Sequence, residues 1–204
     1  MKESPLRVLA VLGTLQRDSA SLTVSFDVAR KLEAADCVVE VVDFRKEPLA
    51  LYDPDIAHDL PGYAKLQNKV DDADIIVLVT PDYHGSISSA MKNFLDHFWH
   101  EFAGKLFVTI VASHEKGLTA TDQLRTVARQ CYAWTLPYGI SFTTGVDVKD
   151  GQIVSDMFRD RLGMMVRDVC VYGSLLARQR TADLAGGEAG FLAHYRKGPQ
   201  TAIS

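Results

Sequence analysis

Apolar and polar positions fall in blocks along this chain, and the blocks change period. Leu6 to Leu12 (LRVLAVL) is an almost unbroken apolar run that stops at Gly13. Val38 to Val42 (VVEVV), the run DIIVLVT ending at Thr80 and the run KLFVTIVAS ending at Ser113 repeat the pattern. Runs of this length that are continuously apolar, rather than alternating, mark strands covered on both faces. Between them the spacing becomes helical. In SLTVSFDVARKLEAA the residues Leu22, Phe26, Ala29 and Leu32 fall on one face. Helices are also predicted over Tyr63–Asp72, over Ser88–Trp99 with a Met91, Leu95, Phe98 stripe, over Thr121–Trp134 and over Asp156–Arg178. Tyr138–Thr143 reads as a fifth strand, and GVDVKDGQI as a hairpin-like excursion turning at Asp150-Gly151. Strands alternating with helices predict an α/β class: a doubly wound, five-stranded parallel sheet with helices on both faces. It forms a single domain over 1–182. The Gly- and Ala-rich segment 183–204 is expected to be mobile or to pack on a partner subunit.

Composition narrows the function. Of the 204 residues, 47% are hydrophobic and 24% charged, which suits one soluble domain with a sizeable core. The net charge of -4, with no stripe of Lys or Arg, argues against a nucleic-acid partner. The N-terminal apolar run is too short for a signal peptide and lacks a cleavage site, and no segment approaches a membrane span. Cys37, Cys131 and Cys170 are odd in number and far apart, so they read as free thiols in a reducing cytoplasm.

Five strands favour the order 2-1-3-4-5, which puts the ligand crevice beyond the carboxyl ends of strands one and three. The loops there carry the most chemistry. After strand one comes GTLQRDSAS, with hydroxyls at Thr14, Ser19 and Ser21, a polar Gln16, a cation at Arg17 and the start of a helix. Helix-terminal amides and hydroxyls suit a terminal phosphate, although an ordinary polar turn capped by Ser reads equally well. Neither G-x-G-x-x-G nor a P-loop is present. After strand three comes Pro81-Asp82-Tyr83-His84-Gly85-Ser86-Ile87. Pro81 is expected to end the strand, Gly85 to let a ligand approach, and Tyr83 to cover a flat ring. After strand four, Ser113, His114 and Gly117 form a third polar loop at the same edge. Together the three loops suggest a phosphorylated heterocycle. HFWHE offers His97, His100 and Glu101, but it is not H-E-x-x-H and reads as a polar helix end rather than a metal site.

These residues resemble the NADPH-dependent FMN reductases of the flavodoxin-like superfamily, which include quinone, chromate and azo-dye reductases. Their first loop runs G-S-x-R-x-x-S-x-N, against Gly13-Thr14-Leu15-Gln16-Arg17-Asp18-Ser19-Ala20-Ser21 here. Their second runs P-E-Y-N-G-S-x-P-x-x-L-K-N, against Pro81 through Asn93 here. The resemblance extends over about residues 6 to 155. It implies FMN as cofactor, its phosphate on Thr14, Ser19 and Ser21, its ring along 81–87, and Ser113 to Gly117 bordering the other side. It also implies NADPH or NADH as hydride donor, a small-molecule acceptor, and a homodimer or homotetramer. The departures are Gln16 in place of the family arginine, Asp82 in place of Glu and His84 in place of Asn. His84 and His114 are the candidates for touching the acceptor; the plainer alternative is that both bond only to their own loops. The competing functions are a flavodoxin-like electron carrier, which the mild charge disfavours, a flavin-binding module without turnover, and a specialised biosynthetic enzyme on the same scaffold.

Overall fold

In the computed structural model, which describes residues 4–196, the sheet is built from β1 (Arg7–Leu12), β2 (Val38–Asp43), β3 (Ile75–Tyr83), β4 (Ser86–Ile87), β5 (Leu106–Ala112), β6 (Trp134–Thr135) and β7 (Ile140–Phe142). β2, β1, β3 and β5 lie side by side and parallel, and both β6 and β7 pair with β5 on its far edge. The expected fifth strand over Tyr138–Thr143 is shortened to β7, with β6 as a second short piece in the same sheet position, and the order is the expected 2-1-3-4-5. Thr121–Trp134 is corrected as well. Its helix runs from Leu118 to Gln130, and Trp134 begins β6.

Alternate residues of each strand enter opposite cores. Leu9, Val11, Ile76, Leu78, Phe107 and Val111 pack under α2 (Tyr63–Asp72), α3 (Ser89–Asp96) and α4 (Leu118–Gln130). Val8, Ala10, Ile75, Val77, Val79, Leu106, Val108 and Ile110 pack under α1 (Ala20–Glu33) and α5 (Asp156–Ala185). This two-sided burial is why the strands read as continuous apolar runs. The stripe predicted for α1 is rotated: Ser21, Val24, Ser25, Val28, Ala29 and Leu32 are buried, whereas Phe26 is exposed. Leu22 and Phe26 instead line an open groove beside the antiparallel hairpin β8 (Val148–Lys149) and β9 (Gln152–Ile153). That hairpin turns at Asp150-Gly151, with φ of 50° and 70°.

α5 outruns its expected end at Arg178 by two turns. Residues 191–196 then fold back on the chain's own surface. Leu192 is buried, Phe191 stacks on Tyr132, and Arg196 Nε donates to the Asp183 carbonyl. The rest of the 183–204 segment, 197–204, lies outside the described residues.

Candidate functional site

Pro81 does not end β3. The strand continues to Tyr83 and pairs as far as Pro81 with Ala112. The Val79 carbonyl accepts from the Gly13 amide, so odd-numbered residues of β3 direct their backbone groups toward β1. β1 ends at Leu12, so the Pro81 nitrogen has no ladder partner to lose. Beyond it the chain turns back at once: Asp82 pairs with Ile87 and Tyr83 with Ser86, leaving His84 and Gly85 as a two-residue turn. Their φ angles are 58° and 76°. Positive φ at both central residues is the type I′ requirement, which Asn-Gly meets best and a non-Gly residue meets with strain. The hairpin leaves Tyr83 about half exposed at the carboxyl edge of the sheet. Replacing His84 by Asn is expected to raise stability by up to about 0.5 kcal/mol, and by Val to lower it by more than about 1 kcal/mol. Urea unfolding checks both, and equal midpoints would show that the turn carries no strain.

Side-chain hydrogen bonds tie the three loops together. The Ser88 hydroxyl caps α3 by accepting from the Met91 amide and donates to the Gly13 carbonyl, joining the first loop to the second. Ser113 Oγ donates to Asp82 Oδ2 at 2.9 Å, joining the second to the third. Gln123 Oε1 on α4 accepts from Ser86 Oγ and the Ile87 amide. No local pattern points to Gln123, since it meets the hairpin only through the fold. Asn93 of the K-N pair likewise acts structurally. It accepts from the Tyr52 amide and donates to the Ala50 carbonyl, pinning the loop after β2, while Lys92 pairs with Asp96.

The first loop has the makings of an anion site. Thr14 is buried, and its Oγ1 accepts from the Gln16 amide. Ser19 Oγ accepts from the Leu22 amide as the cap of α1, and Ser21 is buried on the first turn. Both acceptor hydroxyls keep their O–H to donate. Among the described residues the amides of Arg17 and Asp18 and the Arg17 guanidinium have no hydrogen-bond partner. In the second loop Asp82 Oδ1 is buried and has no hydrogen-bond partner among the described residues. The third loop turns through Lys116 and Gly117 at φ of 57° and 60°. A Cβ on Gly117 would come within 2.6 Å of Val111 Cγ1, so both space and backbone demand glycine there. His84 and His114 are exposed, and neither imidazole makes a hydrogen bond among the described residues. The bonds to their own loops that the plainer reading expected are absent from that set.

The HFWHE residues part company. His97 is buried, with Nδ1 on the Asn93 carbonyl; His100 stacks on Trp99; and Glu101 accepts from Gln67 Nε2. Among the described residues no three His, Cys, Asp or Glu side chains are grouped to hold a metal.

A family model described as NADPH-dependent FMN reductase matches residues 6–147. An NADPH azoreductase from Bacillus sp. (strain OY1-2) is 28% identical over 155 residues, covering 74% of this chain and 84% of that protein. An FMN-dependent NADPH-azoreductase from Staphylococcus aureus (strain USA300) is 25% identical over 144 residues, covering 67% and 76%. Among solved structures, the flavoenzyme FerB, an NAD(P)H:(acceptor) oxidoreductase from Paracoccus denitrificans, superposes with a TM-score of 0.70 at 19% identity, covering 83% of this chain and 98% of that one. The apo form of an NADH:FMN oxidoreductase, EMOB, superposes with a TM-score of 0.68 at 17% identity, covering 82% and 89%. At these identities the solved structures establish the flavodoxin-like fold.

Proposed function

The chain belongs to the NADPH-dependent FMN reductase family, and from that premise we propose that it is an oxidoreductase taking hydride from NADPH or NADH and reducing a small acceptor: an azo dye, a quinone, free flavin or a metal oxyanion. FMN, when bound, supplies the two-electron chemistry, and the protein supplies binding, orientation and electrostatics. The observation that carries this reading is the coupling of three carboxyl-edge loops by the Ser88–Gly13 and Ser113–Asp82 bonds.

In this reading the hydroxyls of Thr14, Ser19 and Ser21, the free amides of Arg17 and Asp18, and the Arg17 guanidinium hold the phosphate, with Gln16 on the rim. Residues 81–87 line the ring, with Tyr83 at its side. Asp82 Oδ1 offers an acceptor to a ring N–H, which fits a buried carboxylate oxygen left without a donor among the described residues. Ser113 to Gly117 border the far side. Ser113 acts there as a latch, because its hydroxyl already donates to Asp82 and accepts from the Glu115 amide. His84 or His114, exposed on the two facing loops, touches the acceptor or donates to it.

The test is the purified protein's spectrum with FMN. Flavin bands should appear, bleach on adding NADPH and recover with an acceptor. No FMN affinity would overturn the reading. Binding without NADPH oxidation under air would point instead to the electron carrier or the silent flavin module. The double variant His84→Ala, His114→Ala is expected to lose acceptor turnover while flavin bleaching by NADPH persists. Unchanged turnover would remove the histidines from the mechanism.

The homodimer or homotetramer is supported by exposed Met157, Met164, Val171 and Leu175 along α5, and sedimentation showing a monomer would sink it. A cytoplasmic location is supported by three free thiols. Burial pushes those of Cys37 and Cys131 up to about 12 and about 11, marking them as inert packing groups. Periplasmic recovery in fractionation would count against it. Among the described residues no helix is long and apolar enough to cross a membrane.

A further inference from the structure

The family motif places an arginine in the first loop where this chain has Gln16, yet the loop is held by a guanidinium from elsewhere. Arg45 lies two residues beyond the end of β2. Its Nε donates to Asp43 Oδ1 at 2.8 Å, its Nη2 donates to Asp43 Oδ2, and its backbone amide donates to Oδ1 at 3.1 Å. Asp43 is buried and the Arg45 side chain is only 18% exposed, so this bidentate pair is a fixed fork rather than a mobile surface contact. The remaining arm, Nη1, reaches across to the first loop. It donates to the Arg17 carbonyl at 2.8 Å and to the Gln16 carbonyl at 3.3 Å.

Peptide planarity gives that contact a consequence. In a trans peptide the N–H points opposite the preceding C=O. Turning the Gln16 and Arg17 carbonyls toward Arg45 therefore turns the amides of Arg17 and Asp18 away from it. Neither of these amides has a partner among the described residues. Successive amides facing one way form an anion-binding concavity. Because Asp43 neutralises Arg45, the fork itself brings little net charge to an anion. The Arg17 guanidinium remains to supply that charge.

We propose that Arg45, braced by Asp43, is the positioning residue of the phosphate loop: it orders the amides that receive the FMN phosphate. The two jobs of the single family arginine, ordering and charge, are then divided between Arg45 and Arg17. This rests on the cofactor reading above. It adds a signature that reading alone does not have, which is selective loss of affinity for the phosphorylated flavin.

The test titrates the wild type, Arg45→Ala and Arg45→Lys with FMN and with riboflavin, which has the same ring and no phosphate, following flavin fluorescence. Arg45→Ala is expected to raise the Kd for FMN about tenfold or more and that for riboflavin by less than about twofold. Arg45→Lys keeps the charge but lacks the planar fork and should behave like Arg45→Ala. Equal FMN affinity in Arg45→Ala and wild type, or an equal loss on both flavins, overturns the proposal and leaves the cofactor reading standing. Full rescue by Lys overturns it too, by assigning Arg45 to charge alone. A wild type that binds no FMN overturns the cofactor reading and this proposal with it. Should Arg45→Ala fail to fold, Asp43→Asn carries the same comparison, since it releases the fork with almost no change in volume.

Discussion

Replacing Lys105 by Met is expected to cost the fold about 3–5 kcal/mol, a large part of the stability of a domain this size. Lys105 opens the run that becomes β5, and none of it is exposed. Its ammonium donates to the carbonyls of Val70, Asp71 and Ala73. Those groups lie at the C-terminus of α2, where the last carbonyls have no intrahelical partner and carry the negative end of the helix dipole. Met fills the same space but donates nothing, so two buried acceptors, Val70 and Ala73, and the partly buried Asp71 carbonyl would lose this donor together. Chemical denaturation should show the midpoint fall with little change in slope, and a loss under about 1 kcal/mol would mean that water replaces the ammonium.

The same residue should give the protein a pH signature. Burial, assisted by Arg180, pushes Lys105 down to about 7, against the pull of nearby Asp71, Asp74 and Asp72. The unfolded side chain titrates near 10.4. Between those values the unfolded chain holds a proton that the folded chain has released, so stability rises with pH across that window. The difference in stability between wild type and Lys105→Met should therefore widen from pH 7 toward pH 10. A difference independent of pH would show that the three carbonyls keep the ammonium charged throughout.

Lys105 also marks where sequence reading stops. β3 and β5 were legible because both faces of each are buried, and the hairpin at Asp150-Gly151 because its turn chemistry is local. That the loops after β1, β3 and β5 share one edge followed from sheet order alone. The α1 face was misread because two overlapping stripes exist, and only the hairpin β8–β9 decides which one faces the sheet. Pro81 was misread because the cost of a missing N–H depends on whether a neighbouring strand reaches that level, which is a property of β1. The cap by Lys105, the Arg45 fork and the Gln123 bracket join residues 28 to 37 positions apart. No periodicity encodes such pairings, and a polar residue at a strand end looks the same whether it is solvated or buried. The site was therefore legible as a set of loops, and the bonds that make it one structure were not.

Ser88→Ala is expected to be the most damaging change within that set, lowering stability by about 2–3 kcal/mol and weakening FMN binding with it. Ser88 is buried, and four contacts converge on it. Its amide donates to Thr80 Oγ1, its Oγ accepts from the Met91 amide, the Thr80 hydroxyl approaches at 3.4 Å, and its own O–H donates to the Gly13 carbonyl. Removing Oγ takes away the cap of α3 and leaves the Gly13 carbonyl, at the root of the first loop, without this donor. The family motif has Pro at this position. The φ of -62° at Ser88 is one that Pro would adopt, so the backbone path is shared while the means of fixing it differ. Pro fixes the entry to the helix through its ring, whereas Ser fixes it by bonding two loops together. Ser89, exposed one residue on, provides the control: Ser89→Ala should change stability by less than about 0.5 kcal/mol. Thermal unfolding and FMN titration of both variants decide the matter. If Ser88→Ala loses stability but binds FMN like the wild type, Ser88 serves α3 alone, and the first and second loops are positioned independently of each other.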